Sequence, residues 1–134
     1  MERVERRLAE AAAALATLDD AVAGASLSLV ERDAAILRLI YTFEAVWKSC
    51  QAILGQYENV EAASPNAAIR GARRLGWLSD EDAEAAKRLG QDRNLAVHLY
   101  RSELGAEIEH RLAGHAAVLR RWLDALKQRA ASGE

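Results

Sequence analysis

A chain of 134 residues, 51% of them hydrophobic and with a formal net charge of −2, has the length of one domain and can bury about two thirds of its unfolded surface, which excludes a disordered chain. The balanced charge excludes a global field that would draw the protein onto nucleic acid, and the single cysteine, Cys50, excludes an internal disulfide or a CxxC-type metal site. No apolar run approaches the roughly 20 residues of a membrane span, and Met1-Glu2-Arg3-Val4-Glu5-Arg6-Arg7 lacks the apolar core of a signal peptide, so a reducing cytoplasm is the expected compartment.

Alanine-rich apolar content, sparse β-branched residues and the absence of period-two alternation predict an all-α chain. The first helix is expected over about residues 2–23, where Val4, Leu8, Ala11, Leu15, Leu18 and Val22 form one apolar stripe, with Gly24 ending it. Ser28-Leu29-Val30-Glu31 has the form of a capping box and opens a second helix. Ile36, Ile40, Phe43, Trp47, Cys50 and Leu54 carry that helix on to about Tyr57, a rod of roughly 43 Å, with Glu44 and Lys48 as an i,i+4 pair. Ser64-Pro65 sets N-cap and N1 of a short third helix, which Gly76 closes and on which Arg70, Arg73 and Arg74 share a face. Ser79 caps a fourth helix with Asp80, Glu81 and Asp82 at its positive end. Ser102 is expected to cap the fifth, whose inward stripe is Ile108, Leu112, Leu119, Trp122 and Leu126, with a frayed tail over residues 130–134. Four principal helices and one short one, joined by short loops, predict an up-and-down bundle in one domain with its core over about residues 3–127.

Chemistry-bearing residues concentrate in one place. Residues 64–101 hold seven bases (Arg70, Arg73, Arg74, Lys87, Arg88, Arg93 and Arg101) against five acids, so an anionic ligand is expected there. His110 and His115 lie five apart, which turns them about 140° away from each other on a helix; they cannot share a metal, and both are expected at the surface or boundary. No Ser-His-Asp arrangement, phosphate loop or H-E-x-x-H is present. The segment from Gln91 to Tyr100 stands apart. If the fourth helix persists through it, Asn94 and His98 stack at i,i+4, and Arg93 and Tyr100 align two turns apart. An arginine suits phosphate and a histidine exchanges protons near neutrality, which are parts sufficient for phosphodiester cleavage without metal. On spacing alone, an ion-pair cluster on a surface helix accounts for the same residues.

Arg93-x4-His98-x-Tyr100 resembles the signature of HEPN domains in the HepT branch. Glu31-Arg32-Asp33, Tyr41-Thr42-Phe43-Glu44-Ala45-Val46-Trp47-Lys48, Ser64-Pro65, Ile69-Arg70 and Asp92-Arg93-Asn94-Leu95 extend the likeness, over about residues 3–127, to the nucleotidyltransferase substrate-binding subunit family. Ala96, Val97 and Leu99 are apolar where relatives carry small polar residues, and Arg101 replaces the usual acid or amide. The resemblance implies a homodimer with two motifs facing across a twofold axis, and a minimal nucleotidyltransferase antitoxin that adenylylates the motif tyrosine, Tyr100. It implies a toxin that is a metal-independent endoribonuclease needing no cofactor. Arg93, His98 and Asn94 would then be catalytic, with Asp92 orienting Arg93 and Arg70, Arg73 and Arg74 contacting the RNA backbone. A non-catalytic subunit that presents substrate to the nucleotidyltransferase is the alternative.

Overall fold

The computed structural model describes residues 2–24 and 26–133, and every regular element among them is helical. The helices are α1 (Glu2–Val22), α2 (Leu29–Tyr57), α3 (Pro65–Arg74), α4 (Asp80–Leu95) and α5 (Ser102–Ser132), with one 3₁₀ turn, Ala96–His98, between the last two. α1, α2 and α5 pack on one another, α3 lies against α2 and α4, and α4 leans on α5 and touches α2. This is the all-α bundle of four principal helices and a short one that the sequence predicts.

Local chemistry sets most boundaries. Ser28 Oγ accepts from the Glu31 amide at 3.1 Å and Glu31 Oε1 accepts from the Ser28 amide at 2.8 Å, which satisfies two of the donors a helix start leaves open. α2 ends at Tyr57 because Asn59 turns left-handed at φ 55, a conformation asparagine tolerates. Ser64 and Ser79 cap α3 and α4 through the amides of Ala67 and Asp82, and Gly76, at φ 82, turns the chain between them. α5 departs from expectation at both ends. Arg101 occupies its N-cap with no side-chain cap, leaving Ser102 as the first helical residue, and the helix continues through Ser132 rather than fraying at residue 130.

The core runs along α2 and α5, where Ile36, Phe43, Ile53, Leu54, Leu119 and Trp122 are fully buried. Each contributes about 1.5–3 kcal/mol by leaving water. α2 approaches the α4–α5 side at two points. Phe43 lies under Gly90, where an added Cβ would meet its ring at 3.7 Å. The guanidinium of buried Arg32 packs on Gly105 so closely that a Cβ there would sit 2.5 Å from Nη2. Glu44 also faces α4, so the expected Glu44–Lys48 pair gives way to a contact described below.

Phe43→Ala is expected to cost about 3–5 kcal/mol, through lost transfer energy and a cavity beneath α4. Urea denaturation followed by circular dichroism measures it.

Candidate functional site

The last turn of α4 is gripped from two sides. Successive helical residues diverge by about 100°, so Asp92 turns inward and Arg93 outward. Asp92 is 1% exposed. Its Oδ1 accepts from Arg111 Nη2 at 2.7 Å and its Oδ2 from Arg111 Nε at 2.8 Å, and His115 Nε2 lies 2.8 Å from Oδ2. Burial pushes this carboxyl up, but hydrogen bonds and charge from Arg111 and His115 outweigh it and hold the group down at about 2. His115 is therefore buried, against the expected surface or boundary position, while His110 is exposed. Asp92 contacts α5 rather than Arg93.

Arg93 is held by α2. Its Nε lies 2.8 Å from Glu44 Oε2, while Glu44 Oε1 accepts from Trp47 Nε1 at 3.0 Å. The guanidinium stands 5.9 Å over the Phe43 ring, a distance at which cation and ring face attract. With Lys87, Gln91 and Asn94 of α4 and the first turn of α3, Arg93 lines a cleft of about 250 Å³. Two cations and several amides suit it to an anionic or hydrogen-bonding ligand.

The helix does not persist through the motif. It stops at Leu95, and a 3₁₀ turn carries the chain to His98, after which the Arg101 amide donates to the His98 carbonyl at 2.9 Å. The tighter 3₁₀ winding removes the i,i+4 stacking of Asn94 on His98 and the two-turn alignment of Arg93 with Tyr100. Instead, Asn94 faces the cleft, and His98 Nδ1 lies 3.3 Å from Tyr100 Oη with the rings edge to face at 5.8 Å. Tyr100 is 80% exposed and His98 is exposed beside it. Arg70, Arg73 and Arg74 stand exposed on the second half of α3, where Arg73 Nε donates to Asp80 Oδ1 at 2.7 Å.

Local reading of the sequence misses Glu44, Arg111 and His115. A signal for the last exists: Ile108, Leu112, Leu119, Trp122 and Leu126 leave one slot empty in a 4-3-4-3-4 stripe, and residue 115 fills it. Among the described residues, no group of three or more His, Cys, Asp or Glu could hold a metal, and no helix is long and apolar enough to cross a membrane. Burial pushes the Cys50 thiol up to about 12, which leaves it protonated and unreactive.

A family model described as "Nucleotidyltransferase substrate binding protein like" matches residues 6–128. Among solved structures, a protein from Thermus thermophilus is 46% identical, with 87% of this chain and 98% of that chain covered and a TM-score of 0.84. A mutant of the toxin–antitoxin MntA-HpeT is 18% identical (96% and 99% covered, TM-score 0.78), and the tri-AMPylated HEPN toxin of Shewanella oneidensis, in complex with MNT antitoxin, is 19% identical (93% and 96%, TM-score 0.75). These last two likenesses are of fold. A search of curated proteins finds no match.

Asp92 gives a pH test. Its carboxyl falls from about 3.9 unfolded to about 2 folded, so its contribution is present above pH 4 and is lost as pH falls through 2. Wild type is expected to lose on the order of 2 kcal/mol across that window from this group. Asp92→Asn lacks that part of the slope in urea titrations at stepped pH.

Proposed function

Because the chain belongs to the nucleotidyltransferase substrate-binding-protein-like family, within the HEPN/HepT group, we propose that it is the toxin of a toxin–antitoxin pair, a metal-independent endoribonuclease restrained by a minimal nucleotidyltransferase. One observation carries the reading. Arg93 and Asn94 line a cleft at the end of α4, and the chain then presents exposed His98 and Tyr100 in contact with each other. The fold is shared with a toxin–antitoxin mutant and with a HEPN toxin bound to its MNT antitoxin, which supports a nucleotidyltransferase as partner.

In the proposed reaction the ribose 2′-oxygen attacks the adjacent phosphorus and yields its proton to a base, while the 5′-oxygen leaves with a proton from an acid. Arg93 stabilises charge on the phosphorane and Asn94 donates to a non-bridging oxygen. One His98 supplies one proton-transfer role, so the reading requires a homodimer in which two copies act as base and acid. A surface supports that pairing. Leu37 and Tyr41 of α2 are about half exposed, and Val97 of the connector is 76% exposed. Exposed large apolar side chains favour burial in an interface.

Tyr100 is the proposed acceptor of the nucleotidyl group. Its oxygen would attack the α-phosphorus of a nucleoside triphosphate, with pyrophosphate leaving. The modified oxygen could no longer donate to His98, and the new phosphate would compete with RNA for Arg93. Arg70 and Arg74 are the stronger candidates for RNA backbone contact, since Arg73 is engaged by Asp80. The family description itself favours a second reading, a non-catalytic subunit presenting substrate to the nucleotidyltransferase; expressed alone, such a subunit leaves growth unchanged, whereas the toxin arrests it.

Arg93→Ala and His98→Ala should each abolish RNA cleavage in chelator while circular dichroism stays helical; cleavage surviving in either, or requiring Mg²⁺, contradicts the mechanism. Light scattering should give a dimer. Co-expression with the nucleotidyltransferase should add nucleotide mass to wild type and none to Tyr100→Phe, which should also escape neutralisation.

A further inference from the structure

We propose that Arg111 and His115 of α5 are positioning residues for the Arg93–Tyr100 motif: by gripping Asp92 they fix the rotation of the last turn of α4, and with it the placement of Arg93 and the connector. This rests on the reading of that motif as the reacting site.

Within the connector only Ala96 and Leu99, both partly buried, pack against the core. The 3₁₀ turn contributes no buried residue, and Leu95, Val97, His98 and Tyr100 are exposed. At the end of α4 the Ala96 amide donates to the Arg93 carbonyl, the tighter closure of a 3₁₀ turn. A direction-specific restraint comes from α5. Arg111 and His115 stand at i,i+4 and so share one face of α5. Together they engage both oxygens of Asp92 through three contacts of 2.7–2.8 Å.

A bidentate guanidinium–carboxylate pair is planar and direction-specific. If α4 turned about its axis at this point, the plane would be lost. Asp92 is covalently next to Arg93, so the same rotation would lift the guanidinium from Glu44 and Phe43. Buried ion pairs often add little net stability over apolar packing; what this one fixes is direction. It also closes the base of the segment from residue 92 to 111, which contains every motif residue.

The test uses the full-length protein with ¹⁵N label. The Nε–Hε resonance of Arg93, assigned by its disappearance in Arg93→Lys, reports the contact with Glu44 whether or not RNA is cleaved. Arg111→Lys keeps the charge but cannot form the fork, and Arg111→Met removes it. Both are expected to shift or broaden that resonance and to lower kcat roughly tenfold or more, as small misplacements of reacting groups do. His115→Phe should act in the same direction, and His115→Gln, whose amide can replace the Nε2 contact, should restore the wild-type signal. Asp92→Asn combined with Arg111→Gln, a neutral pair able to hydrogen-bond face to face, should recover what Arg111→Gln alone loses. A fall in melting temperature with the Arg93 resonance unmoved and kcat per folded molecule unchanged overturns the proposal. If Arg111→Met does not fold, Arg111→Lys and the double variant decide. Absence of cleavage in wild type, or its persistence in His98→Ala, overturns the reading of the motif instead, and the resonance still decides positioning.

Discussion

The arrangement at the end of α4 follows from putting a carboxylate inside and a guanidinium outside at adjacent positions. An isolated ionised carboxylate in an apolar interior is very costly, so Asp92 must bring its counter-charges with it. Arg111 supplies the charge from α5 and His115 a further polar contact. That requirement fixes how α4 lies on α5 and therefore which way the next residue points. Arg93 emerges toward α2, where Glu44 offers one oxygen to it and one to the Trp47 indole. Two ion pairs on adjacent residues thus connect three helices at one level of the bundle.

α2 is the common wall. Its 29 residues span about 43 Å, enough to reach from the turn beside Gly105 past the cleft to the far end of α5. There Arg129 bonds Glu58 at 2.6 Å and the Tyr57 carbonyl at 3.2 Å. The same helix faces the core with Ile36, Phe43, Cys50 and Leu54, and meets α5 at Gly105 through Arg32 and α4 at Arg93 through Glu44. Because side chains on one rigid helix keep fixed relative directions, packing of the apolar stripe in the core determines where Glu44 is presented.

What the sequence makes legible is what depends on neighbours along the chain. Ser28, Ser64-Pro65 and Ser79 announce their helices because capping is a matter of three or four residues, and the apolar stripes of α1, α2 and α5 follow from a fixed period. Contacts spanning many residues are different. Glu44 has a lysine at i,i+4, and local reasoning assigns it there, yet an arginine 49 positions on takes it across the bundle. His115 reads as a polar surface residue until its slot in the α5 stripe is noticed. The break of α4 at Leu95 is also hidden, since no proline or glycine marks residues 95–100; the chain leaves the helix because it must turn back into α5. Arg93, Asn94, His98 and Tyr100 are placed on this segment as the pattern suggests, but on two different local geometries rather than on one helical face.

The pairing of Asp92 with Arg111 and His115 has a consequence for the order in which the chain is made. Synthesis runs from the N-terminus, and folding proceeds with whatever has already emerged. When residue 100 has been added, every residue of the motif exists, but the partners that neutralise its buried carboxylate do not. α1 and α2 can associate early, since their contacts are local. The motif segment acquires its anchored geometry only after Arg111 and His115, in the first half of α5, have been added, so a nascent chain carries the reactive side chains for a time without the architecture that aligns them.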